Sequence, residues 1–200
     1  LYLSYNAPHT PLQATAIDLE RNNHIEVEKR RTYAAMVSSM DDGIGLILDK
    51  LEEKKITDNT IVIFFSDNGG VEWYNFSDNG VLRGIKGDFY EGGIRVPFTM
   101  QWPEKIKPGS IYDKPIIALD VFATVASAAS AEQYVRNDID GVDLLPYITG
   151  EKSGLPHKYL YWQNPDKDID VVRDERYKYI RIKEEEYIFD LKNDISEEKN

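Results

Sequence analysis

The chain has 200 residues, 42% of them hydrophobic, which is enough to bury a core and excludes disorder throughout. Its formal net charge of -11 argues against nucleic acid and anionic membrane surfaces as partners, because both repel negative charge. It has no cysteine, so disulfides, zinc–thiolate sites and thiol nucleophiles are excluded within this sequence.

The chain opens with a predicted short buried strand, Leu1–Tyr5. Pro8 and Pro11 follow, and each disfavours helix in the residue before it, so His9 is predicted to lie in an extended loop. Residues 15–23 are polar and irregular, which predicts a surface connection.

A long amphipathic helix is predicted from Val27 to Lys54. Its apolar side chains recur at steps of three and four, forming one stripe: Tyr33, Met36, Val37, Met40, Ile44, Ile47, Leu48 and Leu51. Ile61–Phe65 is a continuous apolar run, typical of a strand covered on both faces. It is also the longest strongly apolar run, far too short to span a bilayer. Strand, helix and strand in this order predict a parallel sheet with a crossover helix.

Residues 66–93 are rich in Gly, Asp and Asn, and a loop this long within a domain is usually functional or disordered. Val96–Trp102 is predicted to be a further strand. Asp120–Ala129 is predicted to be a helix rich in small residues, with Asp120 as its N-cap.

The last quarter of the chain has a different sequence pattern. Short aromatic or β-branched runs alternate with charged turns, which predicts an antiparallel meander. The runs are Tyr159–Trp162, Val171–Arg173, Tyr177–Ile182 and Tyr187–Leu191. We therefore predict an α/β part, residues 1–150, and a small β-rich part, residues 151–200.

Two adjacent polar residues, Asp67 and Asn68, directly follow the predicted strand Ile61–Phe65. Ligands of open α/β sheets bind beyond the carboxyl ends of strands, and carboxylate and amide oxygens suit Ca²⁺ or Mg²⁺. The same residues followed by glycine also form ordinary tight turns, so the pattern alone allows both interpretations.

Two further residues could act on an anion. Lys86 lies among glycines, and its ammonium group could contact an oxyanion such as sulfate or phosphate; the alternative is a solvated loop lysine. His9 could donate a hydrogen bond or a proton to a leaving oxygen, although a lone loop histidine is more often structural. His24 and His157 receive no role.

The order of the motifs resembles the sulfatase family. The resemblance rests on a series of motifs that runs through nearly the whole chain: Tyr5–Pro11, Phe65–Gly70, Leu82–Gly87, Glu91–Pro97, Trp102–Pro103, Asp120, Asp140–Pro146, Arg176–Ile180 and Tyr187–Leu191. It implies a partial alkaline-phosphatase-like α/β/α sandwich with a small C-terminal antiparallel subdomain. It also implies one Ca²⁺ site, with Asp67 and Asn68 as ligands, and Lys86 and His9 as residues that contact the sulfate ester.

The family's remaining site residues are missing from this sequence. Sulfatases carry an early aspartate pair for the same Ca²⁺ and a Cys- or Ser-x-Pro-x-Arg motif whose first residue becomes the formylglycine nucleophile. Because the chain also opens inside a predicted strand, we expect it to be the later part of a longer sulfatase, although a degenerate homologue is the alternative. On its own it is predicted to bind Ca²⁺ weakly and to hydrolyse no ester.

Several expectations follow only from the resemblance. The substrate is expected to be a sulfate ester, a sulfated glycan among the candidates, and the location is expected to be periplasmic or extracellular. Two other functions stay open at this point. One is a phosphate or phosphonate ester hydrolase of the same superfamily, and the other is a non-catalytic module that binds sulfated glycans.

Overall fold

The computed structural model describes residues 1–136 and 138–200, which form two compact units, Leu1–Trp102 and Pro103–Asn200. This division falls earlier in the chain than the predicted boundary near residue 150. Residues 103–150 therefore group with the C-terminal strands in the structure. Each unit is described by itself below.

The first unit begins with two helices, α1 (Ala16–Arg21) and α2 (Glu28–Glu53). The predicted long helix is confirmed: its apolar stripe is buried or half-buried, and Ala35 and Met36 are fully packed. Helix α1 was missed, because residues 15–23 were expected to be irregular. Its signal was the N-cap Thr15, whose side chain accepts a hydrogen bond from Asp18 N at 3.2 Å.

Strands β1 (Val62–Phe65) and β2 (Phe98–Gln101) form a two-stranded antiparallel sheet. The predicted parallel pairing was wrong for this chain, since Leu1–Tyr5 adopts no strand and β1 pairs with β2 instead. Phe64 is also exposed, so β1 is not covered on both faces here. An apolar run predicts burial, but the direction of its neighbour depends on which segment the chain brings beside it.

The segment between these strands carries two single-turn helices, α3 (Glu72–Asn75) and α4 (Glu91–Ile94). The rest of residues 66–93 is loop, as predicted, but it is a closely hydrogen-bonded loop. It holds three of the four predicted site residues.

The second unit contains helices α5 (Leu119–Ala128) and α6 (Leu145–Ile148), with 3₁₀ turns at Glu132–Tyr134 and Pro165–Lys167. The predicted helix at Asp120 is confirmed, but Asp120 is not its N-cap. Ala118 occupies that position, and the Asp120 carboxylate accepts hydrogen bonds from Ile117 N and Val142 N, both at 2.9 Å. Asp120 thus ties the start of α5 to the loop after residue 140.

The predicted C-terminal meander is confirmed as a four-stranded antiparallel sheet with the order β3–β4–β5–β6. Its strands are Leu160–Asn164, Ile169–Arg173, Tyr177–Ile182 and Glu185–Asp190. The side chains of Val171, Ile180 and Phe189 are buried, which makes one face of the sheet the core of this unit. Fold class is therefore mixed α/β, with a small antiparallel sheet at the C-terminus. No helix among the described residues is both long and apolar enough to cross a membrane.

Candidate functional site

The loop after β1 is held in place by backbone hydrogen bonds to the segment before β2. Ser66 N donates to Pro97 O at 3.2 Å, and Gly69 N donates to Gly93 O at 3.0 Å. Within the loop, Ser66 Oγ donates to Asn68 O at 3.0 Å. The end of β1 therefore continues into a turn whose shape is determined by a segment more than twenty positions away in sequence.

Glycines allow the loop after β1 to lie very close to the segment before β2. A Cβ built on Gly69 would lie 1.7 Å from Gly92 O, and one built on Gly92 would lie 2.4 Å from Gly84 O. Both contacts are with backbone, which cannot move aside as a flexible side chain can. Close backbone contact thus requires glycine at both positions and joins the loop of Asp67 to the loop of Lys86.

Asp67 and Asn68 lie on this loop, side by side. Asp67 is exposed, and its carboxylate makes no hydrogen bond or ion pair with any described residue. The amide of Asn68 donates to Gly69 O at 3.0 Å, which leaves its side-chain oxygen without a donor in the described part of the chain. Two hard oxygen atoms are therefore available for a cation.

Asp67 and Asn68 by themselves do not complete a metal site. Searched through residues 1–136 and 138–200, the chain contains no group of three or more His, Cys, Asp or Glu residues arranged to hold an ion. Ca²⁺ takes six to eight oxygen ligands. Asp67 and Asn68 have the oxygen chemistry of part of a calcium site, and Ca²⁺ binding by them stays a prediction.

Lys86 lies at the tip of a neighbouring turn. The turn is closed by Asp88, whose backbone N donates to Ile85 O at 2.9 Å and whose carboxylate accepts from Ile85 N at 3.0 Å. The Lys86 backbone N donates to Gly70 O at 3.4 Å, so the turn contacts the loop that follows Asp67. The ammonium group itself is exposed, and no described residue pairs with it.

His9 lies in an exposed turn closed by His9 N donating to Asn6 O at 2.8 Å. Its ring atom Nδ1 lies 2.8 Å from Thr10 O, which favours the tautomer with the proton on Nδ1. No hydrogen bond or ion pair in the described chain joins His9 to the loops of Asp67 and Lys86. Convergence of His9 with those loops stays a prediction.

Neighbouring charged residues have partners within the protein. Glu91 is fully buried, and its carboxylate lies 3.5 Å from Arg95 Nη1. The guanidinium of Arg83 stacks over the ring of Tyr90, 4.0 Å from its centroid. Glu91 and Arg83 thus support the backbone of this segment, while Asp67 and Lys86 remain open to solvent.

Asn79 is a structural residue of the site that the sequence analysis missed. Its side chain accepts from Gly70 N at 2.9 Å and donates to Gly70 O at 3.0 Å and to Gly84 O at 3.1 Å. One amide thereby bridges the two loops that carry the predicted ligands. Its only sequence signal was an Asp-Asn-Gly turn, which is too common to reveal such a contact.

A second missed contact lies in the other unit. His157, to which no role was assigned, has Nε2 2.7 Å from Asp120 Oδ1, and Asp120 is fully buried. This pair completes the hydrogen bonding of the Asp120 carboxylate and is structural.

Comparison with known proteins gives the family. The family model described as Sulfatase matches residues 1–131, and the model described as N-sulphoglucosamine sulphohydrolase, C-terminal, matches residues 86–200. The uncharacterized sulfatase YdeN of Escherichia coli is 36% identical over 94% of this chain. The steryl-sulfatase of Mus musculus is 36% identical over 80% of it. The chain spans 34% and 26% of the lengths of these two relatives.

Solved structures agree on the fold. The structure of Ps i-CgsB in complex with k-i-k-neocarrahexaose matches with a TM-score of 0.90 and 34% identity, over 100% of this chain and 45% of that protein. A structure in complex with its substrate D-glucosamine-2-N,6-O-disulfate matches with a TM-score of 0.62 and 25% identity, over 85% of this chain and 35% of that one. The expected alkaline-phosphatase-like fold class is therefore confirmed. This chain belongs to the sulfatase family.

Proposed function

We propose that this chain supplies metal- and sulfate-binding residues to a calcium-dependent sulfate-ester hydrolase, of which it forms the later part. The observation that carries the proposal is the junction of two loops. Gly69, Gly70 and Asn79 hold the Asp67–Asn68 loop against the loop of Lys86, which brings oxygen ligands and a cation to one region. The sulfatase relatives support the reaction class.

Asp67 and Asn68 are proposed to hold Ca²⁺. Their side-chain oxygens accept no hydrogen bond within the described chain, so binding an ion would break no protein contact. The other ligands would come from outside this sequence. When bound, Ca²⁺ would offset negative charge on the sulfate oxygens.

Lys86 and His9 are proposed to act on the ester itself. An exposed ammonium group can bind a sulfate oxygen as a compact point charge. In His9, the Nδ1 proton is directed to Thr10 O, which leaves Nε2 for the ester. A protonated His9 would donate from Nε2 to the alcohol oxygen that departs when its bond to sulfur breaks.

The substrate is proposed to be a sulfated glycan. Two similar structures are complexes with a carrageenan oligosaccharide and with a disulfated glucosamine, and the first of these matches the whole chain. We expect the complete protein to be exported to the periplasm or beyond the cell, where such polymers are found.

The test uses the complete encoded protein and its turnover of 4-nitrophenyl sulfate and 4-nitrophenyl phosphate. We expect sulfate to be preferred, EDTA to abolish turnover and added CaCl₂ to restore it. Lys86→Ala should lower kcat/KM by about 10²–10³-fold, the usual effect of removing one group that stabilises transition-state charge. Lys107→Ala, an exposed lysine of the second unit, serves as the matched control and should change nothing.

Four results would contradict the proposal. Preference for the phosphate ester would favour the related hydrolase, and binding of sulfated glycans without turnover would favour a non-catalytic module. Turnover of an aryl sulfate by the isolated chain, or micromolar Ca²⁺ affinity in calorimetry, would show that residues 1–200 suffice.

A further inference from the structure

Helix α3 presents an exposed pair of aromatic side chains close in sequence to the candidate site. Trp73 is 74% exposed and Tyr74 is 55% exposed, and their ring centroids lie 5.6 Å apart at an interplanar angle of 58°. The next aromatic residue, Phe76, is half-buried, and the ammonium group of Lys29 lies over its ring. Phe76 therefore packs on the protein, while the other two rings face solvent.

This pair is attached to the candidate site through a short series of hydrogen bonds. Glu72 in α3 accepts from Asn79 N at 3.1 Å, and the Asn79 side chain in turn bonds the backbone of Gly70 and Gly84. Arg30 from α2 also donates to Phe76 O, just beyond the end of α3. A helix of one turn has little stability of its own, and these contacts hold it in position.

We propose that Trp73 and Tyr74 form a sugar-binding subsite, which places a neutral ring of the sulfated glycan beside the residue that is cleaved. The inference rests on the proposed function and extends it to residues that the reaction does not use. Asp67, Asn68 and Lys86 recognise a metal and a charged group. Trp73 and Tyr74 recognise the uncharged face of a neighbouring sugar.

The chemistry of the rings fits a sugar. The face of an aromatic ring is electron-rich, and the C–H groups on the apolar face of a pyranose are weakly positive, so the two stack favourably. Tyr and Trp offer large contact areas and lose few rotatable bonds on binding, which suits a preformed platform. Two exposed rings by themselves bury too little area for a stable protein interface.

Polar residues flank the two rings in sequence. Glu72 precedes them in α3, Asn75 follows them directly, and Asp78 is exposed shortly after the helix ends. Carboxylates and amides accept and donate the hydrogen bonds that sugar hydroxyls require. Acidic groups here also disfavour a sulfated ring on the platform, which assigns the neutral ring to it and the sulfated one to the Lys86 side.

The experiment measures binding and turnover separately in the complete protein. Calorimetry is carried out with k-i-k-neocarrahexaose, and turnover is measured on 4-nitrophenyl sulfate. Trp73→Ala should weaken binding of the hexasaccharide by at least about 10-fold, and Trp73→Tyr should retain most of the affinity. Turnover of the small aryl sulfate, which has no second sugar, should be unchanged.

The matched control is another exposed aromatic pair, Tyr159 and Tyr161 on and beside β3, whose ring centroids lie 6.3 Å apart. The double alanine variant of that pair should bind the hexasaccharide as the wild type does. Thermal melting by circular dichroism shows whether each variant is folded, and Tyr74→Ala, which should also weaken binding of the hexasaccharide, provides the conclusion if Trp73→Ala unfolds.

Several results would overturn the subsite. They are failure of the wild type to bind the hexasaccharide, unchanged affinity in the Trp73→Ala, Tyr74→Ala double variant, an equal loss in the Tyr159 and Tyr161 control, and equal acrylamide quenching of the wild type and Trp73→Tyr in the complete protein, which would show that Trp73 is shielded. A protein that binds the hexasaccharide through Trp73 but hydrolyses no sulfate ester would support the subsite and refute the hydrolase.

Discussion

Lys178 Nζ lies 2.7 Å from Glu197 Oε1, and both side chains are completely buried. The pair links β5 to the segment after β6, far apart in sequence but adjacent in the second unit. Two opposite charges can be buried together only when each neutralises the other. This contact therefore holds the C-terminal segment against the sheet.

Removing one partner of this pair should destabilise the second unit severely. Lys178→Met leaves a buried carboxylate without its cation, and Glu197→Gln leaves a buried ammonium, each at a cost of about 3–5 kcal/mol. Urea denaturation of the chain provides the measurement. The double variant Lys178→Met, Glu197→Gln should lose less stability than the sum of the two single losses.

The exposed ion pair of Arg136 and Asp138 is the control, since both side chains are mostly in water. Arg136→Ala should leave the denaturation midpoint unchanged. A Lys178→Met variant as stable as this control would show that the buried contact contributes nothing.

The carboxylate of Asp190 should retain its charge to unusually low pH. Hydrogen bonds from Arg176, at 3.0 Å from Nε and 2.6 Å from Nη2, lower the pKa of Asp190 from 3.8 to about 2. Because the pKa is lower in the folded state, the stabilisation is fully present above pH 3.8 and is lost as the pH falls towards 2. A carbon-13 NMR titration of the folded chain should give a midpoint near 2 for this carboxyl group.

The same titration of the Arg176→Gln variant tests the cause. We expect the midpoint to move up towards 3.8, because the hydrogen bonds from the Arg176 guanidinium are the largest cause of the lowered pKa. Arg136→Gln, which removes a guanidinium elsewhere, should leave Asp190 unaltered. A midpoint near 3.8 in the unsubstituted chain would contradict the structure.

A methyl side chain should be tolerated at Gly45 but not at Gly69. Gly69→Ala places Cβ 1.7 Å from Gly92 O, so the two loops must separate, and we expect a loss of about 1–3 kcal/mol. Gly45→Ala in α2 meets no atom within 4 Å and improves helix propensity, so it should stabilise by up to about 1 kcal/mol. Urea denaturation compares the two, and equal effects would argue against close packing at Gly69.

Replacing Asp120 should loosen the start of α5. Asp120→Ala removes the acceptor for Ile117 N and Val142 N and the partner of His157, and an unsatisfied buried donor costs about 1–3 kcal/mol. Amide hydrogen exchange at Val142 should accelerate. Asp166→Ala, at an exposed position, should leave that exchange rate as it was.

The periodicity of hydrophobic residues was sufficient to predict the helices and strands that are amphipathic along their own length. The steps of three and four between Tyr33 and Leu51 predict α2, because every member of the stripe faces the same way on one helix. The meander followed from short β-branched runs between charged turns such as Asp174–Glu175. In both cases neighbours in sequence are also the neighbours that form the element.

The pairing partner of β1 could not be predicted from the periodicity of the sequence. The run Ile61–Phe65 carries no information on the segment that will lie beside it, and here that segment is β2, running antiparallel. Helix α1 was missed for a different reason. It has only six residues, and it is held by contacts to α2 such as the hydrogen bond from Asn22 Nδ2 to Ser38 Oγ at 3.0 Å, which hydrophobic periodicity along the sequence does not reveal.

Some features of the candidate site could likewise be predicted from the sequence, and others could not. Asp67, Asn68, Lys86 and His9 were found from residue type and motif order, since chemistry restricts which side chains can bind a cation or a sulfate. The bridge made by Asn79 and the exposure of Trp73 were not predictable, because each depends on what the fold places next to it.

The sequence by itself determined the family, the main helix, the C-terminal meander and the identity of the proposed ligands, because these depend on local periodicity and on motifs of fixed chemistry. Only the tertiary structure decided that Gly69 contacts Gly92, that Lys178 is buried against Glu197 and that Trp73 remains exposed. Such contacts join residues that are distant in sequence. Their energy depends on the three-dimensional environment of each side chain, which the residue type alone does not specify.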